Sequence, residues 1–238
     1  MNGKGARNPT RPGPRLGTLL RGEMAEAYEK RGHGRSDLVL HYSGKAKKDV
    51  GLTGELEYLH FLHAECDPDV VTVDYSPLNA NIDLVGRPHA SLVHAVVKTR
   101  AGEVVWRRFV QEMPADNSVV KDLDTLIGKG PIAHVSRLEV WSKDQLIANP
   151  MSVRNALRAL GWIAAARFWP LAEQKTTVLK LLKKNRMATF EEIFSLGVDA
   201  GRALFGAAVL ELAHSGAVLS DMDLSPLHAM TLFRSVGP

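Results

Sequence analysis

Cleaving a phosphodiester with metal ions needs carboxylates gathered from neighbouring elements. Mg²⁺ is a hard cation that prefers oxygen, and it works by activating water and stabilising the leaving oxygen. The stretch SLVHAVVKTRAGEVVWRRFVQE, residues 91–112, follows a segment carrying Glu57 and is the kind of paired-strand element on which such ligands would stand. It offers His94, Lys98, Arg107, Arg108 and Gln111 instead. Its acids are Glu103 beside the turn and Glu112 at the far end, with Asp74 and Asp83 as outlying candidates on the preceding strands. His60 and His63 lie one helical turn apart and could join His89 or His94 around zinc. No acid stands at a matching spacing, so packing or surface histidines are the simpler reading. Gly-rich phosphate loops, nucleophile elbows and Cys-x-x-Cys pairs are missing from the sequence, and no resident metal or cofactor is expected.

The elements that would position these residues follow from periodicity. Leu56, Leu59, Phe61 and Leu62 suit a helix over 53–64, with Glu55 and Glu57 on its polar side. DPDVVTVDYSP and LNANIDLVGR read as two strands, and residues 91–112 as two more about Arg100, Ala101 and Gly102, which gives a helix followed by a four-strand run. Asp116 or Asn117 can cap a helix running to about Ile127. AHVSRLEVWS is a further strand, and SVRNALRALGWIAAAR is a helix with Ser152 as its cap. Helices packed on a sheet imply an α/β core. After the joint FWPLAEQ come KTTVLKLLKKN, TFEEIFSLG with a Thr189 to Glu192 capping box, and DAGRALFGAAVLELAHSG, capped by Asp199 and stopped by Gly216. AVLSD and AMTLFRS can then pair, in the order of a winged helix. Three regions result: a basic arm with a short helix over 1–50, an α/β core over 51–168, and a winged-helix domain over 169–238. The ordered core is expected to start near Leu52.

At 238 residues, 45% hydrophobic and 24% charged, the chain can bury a substantial core. Its one cysteine, Cys66, excludes an internal disulfide and a thiolate zinc cluster. With no apolar leader and no membrane-length run, it reads as cytoplasmic. The net charge of +4 is uneven: residues 1–50 hold eleven Lys or Arg against five Asp or Glu. Lys4, Arg7, Arg11 and Arg15 stand among Gly and Pro with no acid in the first 22 residues. Such an arm suits a phosphate backbone, through counterion release, or serves as a solubilising tail. Lys45, Lys47 and Lys48 extend it, and Lys180, Lys183 and Lys184 form a second basic face. The third helix of the C-terminal module has Arg202 as its only fixed cation, so it suits packing better than reading a DNA groove.

In its order and spacing, LTGELEYLHFLHAECDPDVVTVDYSP resembles the opening helix and the Asp-Pro-x-Val strand of TnsA-like endonuclease subunits of heteromeric, Tn-seven-like transposases. RLEVWSKDQLIANPMSVRNALRAL is similar to that family's later strand, polar turn and Asn-containing helix, Asn155 matching the Asn. LAHSGAVLSDMDLSPLHAMTLF is similar to its C-terminal domain. The likeness spans about residues 50–234. It implies a restriction-endonuclease-like (PD-(D/E)xK) core with a C-terminal winged helix, and a catalytic set of helix Glu, strand Asp after Pro, and Glu-x-Lys or Gln-x-Lys on the next strand.

Glu57 matches the first catalytic position, His94 stands where the Asp belongs, and the last motif falls within Arg107 to Gln111 without an acid followed by Lys. The resemblance with these departures implies an inactive member that binds double-stranded DNA, with Arg107 and Arg108 free to hold phosphate. It further implies a DDE transposase and an AAA+ ATPase as partners, the apolar third helix suiting a protein contact. Two alternatives remain at this point. One is a Mg²⁺-dependent endonuclease with a relocated site, built from Glu57 with Asp83 and Glu112 or Gln111. The other is a winged-helix transcriptional regulator.

Overall fold

Val50 and Leu52 alternate with polar residues after a Gly-led turn, and the chain there forms an antiparallel hairpin of β1 (Leu38–Ser43) and β2 (Lys48–Thr53). The computed structural model describes residues 38–77, 83–84, 87–88, 93–113, 121, 125, 127, 134–199 and 201–236. The core therefore begins before Leu52. The register sets Val39 against Leu52 and His41 against Val50, and the His41 ring lies 5.0 Å from that of Phe61. The many polar residues between 41 and 49 hide this hairpin from a reading by hydropathy alone.

Helix α1 (Glu55–Cys66) follows Gly54, whose φ of 107° turns the chain sharply out of β2. Gly54 has no side chain to cap with, and Glu57 supplies the bond instead. Its Oε2 accepts from the Thr53 amide at 2.7 Å and the Thr53 hydroxyl at 3.2 Å, tying the residue before the cap to the first turn. The helix buries Leu59, Phe61 and Leu62, together with the polar His60 and Glu65.

The main sheet has the order β3 (Val70–Asp74), β6 (Ala95–Thr99), β7 (Val104–Val110), β8 (Arg137–Ser142). The first three strands are antiparallel and β8 runs parallel to β7, so residues 111–136 make the crossover a parallel pair requires. The strand expected over 78–87 lies largely outside the described residues; Asp83, Leu84 and Arg87 belong to the short antiparallel pair β4 (Asp83–Leu84) and β5 (Arg87–Pro88). Among the described residues, the fourth member of the sheet is β8. The helix expected over 117–127 lies largely outside them, as does the short helix expected over 22–31.

Ser142 caps α2 (Lys143–Ile147) in a reciprocal box with Gln145. Helix α3 (Pro150–Ala166) is capped by Asn149, whose Oδ1 accepts from the Ser152 amide at 3.1 Å. Ser152 is thus the capped residue and not the cap. Pro150 at the first helical position shifts the start two residues earlier, because its missing N–H needs no partner there.

The C-terminal half runs α4 (Ala172–Asn185), β9 (Met187–Thr189), α5 (Phe190–Phe194), α6 (Gly201–His214), β10 (Val218–Ser220) and β11 (Leu232–Ser235). Its sheet has the order β10, β11, β9. The Thr189–Glu192 capping box forms at the start of α5. Asp199, expected to cap α6, sits two residues ahead of that helix in the left-handed region at φ 49°. Helix α6 buries Ala207, Ala208, Val209, Leu210 and Leu212 against α3, α4 and α5. Gly206 allows the close approach: a Cβ there would fall 2.9 Å from the Trp162 ring. The apolar third helix is thus covered by the chain's own helices. One hydrophobic core runs continuously from Val50 through Phe61, Val105 and Leu160 to Val209 and Phe233. No helix among the described residues is long and apolar enough to cross a membrane.

Candidate functional site

Strands β7 and β8 place Arg107 directly opposite Glu139. In a parallel pair, opposed residues share a face, so guanidinium and carboxylate meet, with Arg107 Nε 2.9 Å from Glu139 Oε2. Trp141, two residues on and therefore on the same face, donates its indole N–H to Oε2 at 3.2 Å. Arg137 reaches the other oxygen at 3.1 Å and also pairs with Glu103. Burial alone would raise the Glu139 carboxyl, but the Arg107 charge and the bonds from Trp141, Arg107 and Arg137 bring it below its ordinary value.

Behind this pair, Arg107 Nη1 lies 3.2 Å from Nε2 of His60. His60 is fully buried, and its ring stacks on Phe109 at 4.3 Å. Burial first, then the Arg107 charge, holds its pKa well below the usual histidine value. The ring is neutral and accepts from Arg107 through Nε2. Its Nδ1 then carries the proton and has no partner among the described residues.

The sequence-predicted catalytic positions are placed as follows. Glu57 holds the start of α1 through Thr53. His94 precedes β6; its Nδ1 accepts from the Phe109 amide at 2.8 Å, and its ring stacks on that side chain at 5.1 Å. Gln111 lies exposed just past the end of β7. Glu112 is also exposed, and Asp74 accepts from the Ser76 amide. His63 Nε2 donates to the Leu146 carbonyl at 2.6 Å. Among the described residues, no three His, Cys, Asp or Glu side chains converge on one point.

The basic residues divide by environment. Lys4, Arg7, Arg11 and Arg15 lie outside the described residues. Lys47, Lys48, Lys180, Lys183 and Lys184 are exposed. Arg107 is 4% exposed and ion-paired internally, so the expected phosphate contact is not available to it. Arg108, on the other face of β7, is half-buried, with Nη1 enclosed and unpartnered among the described residues. Lys45 is half-buried, and its ammonium donates to the Asp67 carbonyl. Burial pushes its pKa down to about 8, against the raising effect of Glu65 and Asp67.

Two residues, Glu139 and Glu65, were not singled out from the sequence. Glu139 was signalled by the alternation Arg137, Glu139, Trp141, which puts all three on one strand face. Glu65, 2% exposed, accepts from the Ser43 hydroxyl at 2.5 Å, the Gly44 and Lys45 amides at 2.9 and 3.3 Å, and the Tyr75 hydroxyl at 2.7 Å. Burial, and then Glu65 itself, keeps Tyr75 protonated as a donor. Asn155 was noticed only by its match. From α3 it donates to the Met222 and Ser225 carbonyls at 2.6 and 2.7 Å and accepts from the Leu227 amide at 2.8 Å. It pins the link between β10 and β11 to the core helix. No protein-family model matches the sequence, and no characterised protein matches it significantly.

Proposed function

We propose that this chain is a TnsA-like, catalytically inactive DNA-binding and assembly factor of a transposon or other mobile element, acting beside a transposase or an AAA+ ATPase. The observation that carries the reading is the Arg107–Glu139 ion pair. It fills the stretch of β7 where the resemblance calls for a metal-holding acid and a lysine. A guanidinium is no ligand for a hard cation, and its charge repels one. The residues present therefore do not fit a Mg²⁺ centre of that kind, and no hydrolytic step is derived from them.

The order of elements supports the same reading: a helix, three antiparallel strands, a crossover, a parallel strand and a long helix. That order suits a restriction-endonuclease-like core, and α4 to β11 follow the order of a winged helix. With the middle and end of α6 turned inward, DNA contact falls to the exposed lysines of α4 and to the arm.

Incubation of supercoiled plasmid with Mg²⁺ or Mn²⁺, using wild type and Glu57→Ala, tests the proposal. Neither protein should nick the plasmid, and both should bind duplex DNA with an affinity that falls steeply as salt rises. Cutting that Glu57→Ala abolishes would establish a relocated active site in place of this reading.

A further inference from the structure

A cleft of about 580 Å³ opens between the β1–β2 turn, β3 and the helices α3, α4 and α6. Lys45, Lys47, Arg100 and Lys175 line it. We propose that this cleft is a phosphate-binding site, taking either the phosphodiester oxygens of nucleic acid or those of a free phosphate compound. The nucleic-acid form rests on the function proposed above.

The ammonium of Lys45 donates to the carbonyl of Asp67, and Arg100 Nη2 donates to the next carbonyl, Pro68, at 2.9 Å, and to Ser215 at 2.6 Å. The two cations rest on consecutive carbonyls, which orient them but neutralise neither. Burial has already pushed the Lys45 ammonium down to about 8, although the carboxylates of Glu65 and Asp67 act to raise it.

The acids along the cleft are already engaged. Glu65 takes its four hydrogen bonds from Ser43, Gly44, the Lys45 amide and Tyr75, and Glu211 pairs with Lys175. His214 is neutral, held down to about 3 by burial and by Lys45. Lys45, Lys47 and Arg100 thus outweigh Glu65 and Asp67, the two carboxylates that act on Lys45.

Lys47 adds an independent observation. It occupies the left-handed region at φ 55°, where Gly or Asn would be relaxed. A strained backbone holding a lysine at the lip of a cationic cleft points to a ligand-binding role for its charge. Such a cleft focuses potential on anions.

The test uses the full chain. Lys45→Met with Lys47→Gly should bind a short duplex about tenfold more weakly at moderate salt, with a log–log salt slope shallower by about two. Lys47→Gly alone should fold at least as stably as wild type yet bind less tightly, a pairing that a purely structural lysine would not produce. Protection of Lys45 from trinitrobenzenesulfonate, read by mass spectrometry, separates the sources. Protection by duplex but not by pyrophosphate or ATP identifies nucleic acid as the ligand. Protection by pyrophosphate or ATP in a protein that binds no duplex keeps the cleft and sinks the DNA-binding function. Tight duplex binding unchanged by the double variant, with Lys45 unprotected by any probe, overturns the cleft and leaves the DNA-binding function standing.

Discussion

Two buried polar centres sit at either end of α1's inner face, and they are built on opposite principles. In the sheet centre, Arg107, Glu139, Arg137 and Glu103 neutralise one another, with Trp141 and His60 completing the hydrogen bonds. In the turn centre, Glu65 is surrounded by neutral donors, and the nearby cations Lys45 and Arg100 rest on carbonyls. The first has its charges paired within the protein. The second has cations in excess of its carboxylates facing a cleft, the arrangement that leaves room for an external anion. Position in a fold is therefore a poorer guide to a binding site than whether its charges are already balanced.

The sharpest way to break this contrast is to remove Glu65. Glu65→Ala would orphan the Ser43 and Tyr75 hydroxyls and the Gly44 and Lys45 amides at once, and would leave Lys45 without its nearest carboxylate. Urea denaturation should show a loss of about 4 kcal/mol. Glu65→Gln keeps an acceptor of the same shape and should lose about half as much. A loss under about 1 kcal/mol would mean that the turn does not depend on this carboxylate.

The sheet centre should prove more forgiving, because its charge is shared. Arg107→Met leaves Glu139 with Arg137 and Trp141, so the expected loss is about 2 kcal/mol. Replacing both partners, as Arg107→Met with Glu139→Leu, should cost clearly less than the sum of the single changes. Strict additivity in that cycle would show that the pair is not the unit described here.

Much of the scaffold was legible from local pattern. The strands on either side of Arg100, the Thr189–Glu192 box and the amphipathic α3 and α4 are each specified by residues close in sequence. What was not legible depends on register and long-range closure. Whether Arg107 faces DNA or the core turns on its alignment with Glu139, 32 residues away, and a one-residue slip would reverse it. Glu65 reads as an ordinary helix acid until a turn 21 residues earlier folds onto it. The stretch before Leu52 reads as a loop holding one strand, and the pairing into a hairpin over 38–53 was hidden because its inward residues include His41 and Ser43. Glu57 and His94 stood where the resemblance implies ligands, and the structure shows them bonded to Thr53 and Phe109.

Each centre also carries a buried neutral histidine, which makes acid a probe of both. His60 and His214 have folded-state pKa values below the unfolded value near 6.5, in each case chiefly through burial. Below that pH the unfolded chain binds more protons, so the stability these groups support is present above about 6.5 and is lost as pH falls. For His214 the loss continues toward its folded value of about 3. His214→Phe should flatten the decline between pH 6.5 and 4 by roughly 2 kcal/mol, measured by urea midpoints across that range. An unchanged decline would place the acid sensitivity in the sheet centre, with His60.

The smallest expected effect belongs to Lys45, and its sign separates the two centres most directly. Its folded-state pKa of about 8 lies below the ordinary lysine value, so between about 8 and 10.4 the unfolded chain binds the extra proton and stability rises with pH. Lys45→Met should remove that alkaline rise and leave the protein as stable at pH 7 as wild type, or more stable by about 1 kcal/mol, since a half-buried ammonium is replaced by an apolar chain of similar length. A saturating polyphosphate should erase the rise in wild type by restoring the lysine's charge, and should do nothing in Lys45→Met. The same polyphosphate should leave stability unchanged when the variant is Arg107→Met in place of wild type only if it binds at the sheet centre; retention of its full effect in Arg107→Met would assign the anion to the turn centre alone.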